Sequence, residues 1–180
     1  MKSLVVIDIQ REYVLAGREL RISSIGPSLN NAYAMLQFAR SEGWPIVHVQ
    51  HLQEGNAFNS ASDASDFVDG FVPEPGETVA IKSNFSSFSS PTFAQFVSAH
   101  VAHEFVVIGY GTSVCCLSTL VEGYHRGHRF ALVADACAAR AAGAQSEEAM
   151  HQAAVLILGA FARLTCTAQE TSAGWQATPA

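Results

Sequence analysis

Four short stretches, residues 3–9 (SLVVIDI), 45–50 (PIVHVQ), 104–110 (EFVVIGY) and 129–136 (RFALVADA), are rich in Val, Ile and Leu with little polar alternation. A strand with one wet face alternates; a strand covered on both faces does not. These runs therefore predict buried parallel strands, with residues 78–83 (TVAIKS) and 162–168 (ARLTCTA) as weaker candidates. Helical patterns lie between them. Residues 27–42 open with Pro27 and close at Gly43, the usual punctuation of a helix. Residues 90–100 begin Ser-Pro-Thr, and 113–126 end at Gly127. Residues 146–161 start Ser-Glu-Glu-Ala, a cap with acids in the first turn. This alternation predicts a three-layer α/β/α fold with a six-stranded, mainly parallel, Rossmann-like sheet. With 49% hydrophobic residues the 180-residue chain can bury a sizeable core. We expect one domain over residues 1–180, with about ten residues at the end as a tail.

Charge narrows the function. Ten Lys and Arg, scattered along the chain, stand against sixteen Asp and Glu, for a net charge of -6. Nucleic acid binding needs a basic surface to displace counterions, so no nucleic acid partner is expected. No apolar run is long enough to span a bilayer, so no membrane partner is expected either. The opening MKSLVVIDIQREYV sets Asp8 and Glu12 directly behind a short apolar run, which reads as a core strand rather than an export signal. A cytoplasmic, reducing setting follows as the expectation, with Cys115, Cys116, Cys137 and Cys166 as thiols. Adjacent Cys115 and Cys116 could bridge only with strained geometry.

Open α/β sheets bind ligands at the carboxyl ends of their strands. The first strand delivers Asp8 there, residues 78–83 deliver Lys82, and residues 104–110 lead through Gly111 to Cys115. Each alone has a bland reading, as a helix cap, a solvated strand end and a small buried hydrophobe. Together they suit one chemistry. A thiol at a helix start beside a cation is promoted to thiolate. A carboxylate alongside can take its proton and later activate water. Backbone amides of the Gly-Tyr-Gly-Thr-Ser turn can hold an oxyanion. Two segments, residues 16–26 and the long polar loop 52–77, interrupt the strand-helix rhythm, and the second is expected to help form the binding pocket.

Three stretches give these residues a family likeness: VVIDIQREYV (5–14), IKSNFSSFSSPTFAQF (81–96) and VVIGYGTSVCCLSTLVEGYHRGHRFALVADACAAR (106–140). In content and order they resemble the isochorismatase-like cysteine hydrolases, a superfamily that includes nicotinamidases and N-carbamoylsarcosine amidohydrolase. The likeness extends to about residue 167. It implies a catalytic triad of Asp8, Lys82 and Cys115. It also implies a non-proline cis peptide at Tyr110–Gly111, an oxyanion hole from the amides of Gly111 and Cys115, and self-association into a homo-oligomer. Cys116 stands where the family usually has Val, which favours a packing role. Gln10, Tyr13, Phe58 and Tyr110 are pocket candidates by position, although aromatics beside apolar strands commonly belong to the core.

Nicotinamidases of this superfamily bind a divalent metal through Asp-x-His after the second strand. Here that region reads HVQHLQEGN, and His48 and His51, three apart on a strand, face opposite sides. We therefore expect no metal and no cofactor, which argues against nicotinamidase activity; isochorismatases proper lack the cysteine. The leading expectation is hydrolysis of a C–N bond in a small amide, carbamoyl or ureido compound, uncharged or weakly polar, through a thioester. Two readings from other classes stand beside it. Cys115 could be an oxidisable sensor, or the chain a flavodoxin-like binding domain, for which DIQREYV offers no phosphate-cradling loop.

Overall fold

In the computed structural model, which describes residues 1–172, six strands form one sheet. They are β1 (Lys2–Ile7), β2 (Ile46–His51), β3 (Thr78–Lys82), β4 (Glu104–Tyr110), β5 (Arg129–Ala138) and β6 (Arg163–Thr165). Their order is β3-β2-β1-β4-β5-β6, and every neighbouring pair is parallel. Helices α1 (Gly26–Ser41), α2 (Pro91–Ala99), α3 (Leu117–His125), α4 (Glu147–Leu158) and α5 (Thr167–Ser172) make the connections and the C-terminal cover. The tail expected at the C-terminus lies, from residue 173 on, outside the described residues.

Alternate residues of β1, β2, β4 and β5 feed two different cores. Leu4, Val6, Ile46, Val106 and Ile108 meet Ala32, Met35 and Leu36 of α1 on one face. Val5, Ile7, Val47, Val49 and Val107 meet Phe93, Phe96 and Val97 of α2, Leu120 of α3 and Leu158 of α4 on the other. Both parities are buried, and this is why the strand sequences carry no polar alternation. No helix among the described residues is long and apolar enough to cross a membrane.

Two details of this sheet position the chemistry. The strand order reverses direction between β1 and β4, and a crevice opens at such a switch point beyond the strands' carboxyl ends. Gly109 stands there with φ +128, paired with Ile7; a Cβ on it would lie 2.0 Å from the Ile7 carbonyl oxygen. Only glycine lets β1 and β4 approach so closely where one gives way to Asp8 and the other to the Tyr110–Gly111 turn.

Candidate active site

Asp8 is the first residue beyond β1 and has φ +52, a left-handed conformation that Asp tolerates better than most side chains. Its amide donates to the Val49 carbonyl and its own carbonyl accepts from Gln10, so the chain turns out of the sheet and points the carboxylate into the crevice. Lys82 closes β3. The peptide between Tyr110 and Gly111 is cis, and a π-helical turn, Thr112–Cys116, then carries Cys115 into α3. The expected helix start at residue 113 is thus a wider turn, and α3 proper begins at Leu117. Cys115 sits inside that turn and not at a free helix N-terminus.

The three side chains meet, and all three are buried. Lys82 Nζ lies 2.9 Å from Asp8 Oδ2 and 3.4 Å from Cys115 Sγ. It also donates toward His51 Nδ1 at 3.0 Å and the Asn84 carbonyl at 3.1 Å. Apart from this ion pair and the thiol, the Asp8 oxygens find no hydrogen-bond donor among the described residues. Asp8, His51 and Cys115 each bring one donor atom to within 4.8 Å of the others, a spacing that would suit a metal ion. The Lys82 ammonium touches all three, so the position a cation would take is filled by the protein's own.

Electrostatics set the resting protonation state. Burial pushes the Cys115 thiol well above its ordinary range, and the Asp8 charge adds to this; Lys82 opposes both and loses. Cys115 therefore rests as a neutral thiol, whose proton must pass to a base before the sulfur can attack. Burial pulls Lys82 down, but the Asp8 charge and the hydrogen bonds to Asp8 and Cys115 outweigh it and leave the ammonium protonated. His51 is lowered by burial and by Lys82, so its ring is neutral.

A cavity of about 120 Å³ opens onto the sulfur, with Tyr13, Phe58, Phe85, His51 and Gly111 among its walls. Phe58 comes from the long loop and stacks flat on His51, with ring centroids 4.5 Å apart and 3° between planes. Buried Glu12 holds the loop in place: it receives Arg18 through paired hydrogen bonds and the Phe58 amide at 3.4 Å. Larger clefts of about 390 and 470 Å³ run along β5 and α4, but none of Asp8, Lys82 and Cys115 lines them.

Two pocket candidates lie elsewhere. Gln10 is fully buried and ties its amide to the carbonyls of His51 and Ser65 and to the His51 amide, a brace between β1 and the loop. Tyr110 points into the α1-side core and shares a hydrogen bond with Ser28. Neither lines the cavity. Cys116, the last residue of the same turn, is packed into the core beside Cys137. His48 faces α1 and bonds Glu77, away from His51. His51 and Arg140 also line the cavity, and Arg140 escaped the sequence reading. His51 shares the parity of Val47 and Val49, a signal that would have placed it on the Lys82 side. Arg140, exposed at the mouth, has no acid within ion-pair distance among the described residues.

Comparison with known proteins agrees in fold and sequence. The model of the isochorismatase domain matches residues 2–169. A secreted isochorismatase effector, Isc1, of Verticillium dahliae is 32% identical over 135 residues, covering 74% of this chain and 70% of that protein. The ureidoacrylate amidohydrolase RutB of Pseudomonas syringae is 27% identical over 169 residues, covering 74% and 69%. The crystal structure of an isochorismatase from Pseudomonas putida superposes with a TM-score of 0.84 at 28% identity, over 93% of this chain and 89% of that one.

Proposed function

The chain belongs to the isochorismatase family, and from that premise we propose that it is a cysteine amidohydrolase that cleaves a small amide or ureido compound. The observation that carries this reading is the convergence of Asp8, Lys82 and Cys115 at the base of one small cavity. As substrate enters, Cys115 attacks the carbonyl and its proton passes to Asp8. The sulfur gains charge as the carboxylate loses it, and Lys82, within reach of both, follows the charge. Gly111 and Cys115 line the cavity, and their amides are the donors this reading assigns to the oxyanion. Asp8 then hands the thiol's proton to the departing nitrogen, so ammonia or an amine leaves and a thioester stays. Water, activated by Asp8, attacks the thioester; it adds its hydroxyl to the acyl carbon and returns a proton to sulfur.

A thiol kept neutral until substrate arrives fits this cycle, because the proton it releases is the one the leaving group needs. A buried carboxylate paired with an ammonium beside a thiol suits nucleophilic attack on an acyl carbon, so amide cleavage is favoured. The cavity is small beside the roughly 300–1,000 Å³ of drug-sized sites. It has Arg140 at its mouth, which favours a short acyl chain that carries an anionic group over the uncharged substrate expected from composition.

The test is a panel of small amides and ureido acids, each with a neutral counterpart, assayed for released ammonia. We expect turnover of at least one ureido or amide acid, abolished in Cys115→Ala and reduced by a factor of about a hundred or more in Lys82→Met. Turnover that survives in Cys115→Ala would refute the reading.

A further inference from the structure

An ammonium has three N–H bonds to give, and four acceptors surround Lys82 Nζ: Asp8 Oδ2, His51 Nδ1, the Asn84 carbonyl and Cys115 Sγ. Two of them, Asp8 and Cys115, exchange a proton in the proposed reaction, so neither can hold the ammonium still through the cycle. The other two keep their lone pairs throughout. Asn84 offers a backbone carbonyl. His51 offers a ring nitrogen, and only while that nitrogen is bare.

Strand register and ring stacking aim that nitrogen at Lys82, while the Ser83 carbonyl is a further acceptor beside the ring. In the parallel ladder its Cα is in register with Lys82, so both side chains leave neighbouring strands on the same face. The ring lies flat on Phe58, which sets its plane. Nε2 is 3.3 Å from Gln53 Oε1, a carbonyl oxygen able to take its proton. With Nδ1 accepting from Lys82, the ring's single proton belongs on Nε2. The charged groups facing the ring are Lys82 from β3 and Asp8 beyond β1, whose carboxylate lies 4.0 Å from Nδ1, with the Cys115 thiol behind them. Burial and Lys82 hold the imidazole below its usual range despite Asp8.

We propose that His51 is a positioning residue: its bare Nδ1, with the Asn84 carbonyl, moors the Lys82 ammonium so that the remaining N–H can move from carboxylate to sulfur as the proton moves the other way. The inference rests on the cysteine amidohydrolase reading. A protonated ring would lose its acceptor and set a second cation beside the first. Activity should therefore fall as the solution is acidified through the His51 titration.

Two variants and one spectrum test it. Asn at this position places Oδ1 near the site of Nδ1 and cannot be protonated; Leu keeps the bulk and accepts nothing. Loss of an acceptor for a charged donor should lower kcat of His51→Leu about 10- to 100-fold at neutral pH. His51→Asn should stay within about threefold of the wild type and keep its activity at acid pH where the wild type loses it. Equal losses in the two variants, or an unchanged acid limb in His51→Asn, would overturn the mooring role. Nitrogen-15 spectra of the histidine rings need no substrate. They should show His51 bare at Nδ1 and protonated at Nε2 at neutral pH, with a ring that titrates higher in Lys82→Met. A ring protonated at Nδ1 overturns the proposal whatever the turnover. The expected tautomer without turnover of any amide would support the mooring and sink the functional reading instead.

Discussion

Asp8→Asn separates two roles that the geometry gives one carboxylate. The substitution keeps size and shape but removes the charge. In the wild type, burial and the Asp8 charge hold the Cys115 proton in place against Lys82. The donor atoms of Asp8 and Cys115 lie within 4.8 Å of each other. Two unit charges at that distance interact by roughly 3.5 kcal/mol at an effective dielectric constant of about 20. At about 1.4 kcal/mol per pH unit, that is a fall of about two and a half units in the pH at which the thiol ionises. Lys82, freed from its carboxylate, remains beside the sulfur and reinforces the change. The variant should therefore be the better nucleophile and the worse enzyme. Iodoacetamide is small enough to enter the cavity, and fragmentation of the modified peptide in the mass spectrometer distinguishes Cys115 from its neighbour Cys116 and from the other two thiols. We expect the alkylation midpoint of Cys115 to drop by about two pH units or more, while ammonia release falls by a factor of about a hundred or more because no base takes the proton. If the variant alkylates no faster than the wild type near neutral pH, the assignment of a carboxylate-guarded neutral thiol is refuted. If it keeps its turnover, Asp8 is not the base.

Other perturbations test separate parts of the account. Arg140→Gln should raise KM for an acid substrate about tenfold or more and leave the matching neutral amide unchanged; equal effects on both would remove the anion-anchoring role. Gly109→Ala puts a methyl group where the Ile7 carbonyl already lies, at a positive φ, and should cost about 3 kcal/mol or more, read as a large fall in Tm or insoluble protein. For Glu77, burial acts upward, but Arg40, the Glu74 amide and His48 outweigh it and bring the carboxyl from 4.5 to about 2. Its folded value lies below the unfolded one, so its stabilisation is present above pH 4.5 and fades as pH falls toward 2. Glu77→Gln should lose about 1.5 kcal/mol at neutral pH and show a shallower acid dependence in urea unfolding over that window.

How far the sequence could be read follows from what each feature depends on. The strands were legible because burial on both faces leaves continuous apolar runs, and only their ends moved. β1 stops at Ile7, where Asp8 turns left-handed, and β5 runs on to Ala138. α5 was missed, since Thr-Ala-Gln-Glu-Thr-Ser is too short and polar to show a helical period. The meeting of Asp8, Lys82 and Cys115 could be expected from strand ends alone, because the topology of a parallel sheet gathers those ends. The protonation of Cys115 could not, because it turns on how deeply the crevice is buried and which charge lies nearer. Gln10 and Tyr110 were placed at the pocket by proximity in sequence, but each turns into a brace or a core instead. Arg140 left no trace: it follows β5 in a loop, where no periodicity says which way a side chain points.

One measurement reaches the centre of the account. Wild-type protein mixed with an accepted amide and quenched in acid within the first turnover should carry the acyl group as added mass, localised by fragmentation to Cys115 itself and absent in Cys115→Ala. Full turnover with no covalent adduct on Cys115 under single-turnover conditions, or an adduct on any other residue, would contradict it.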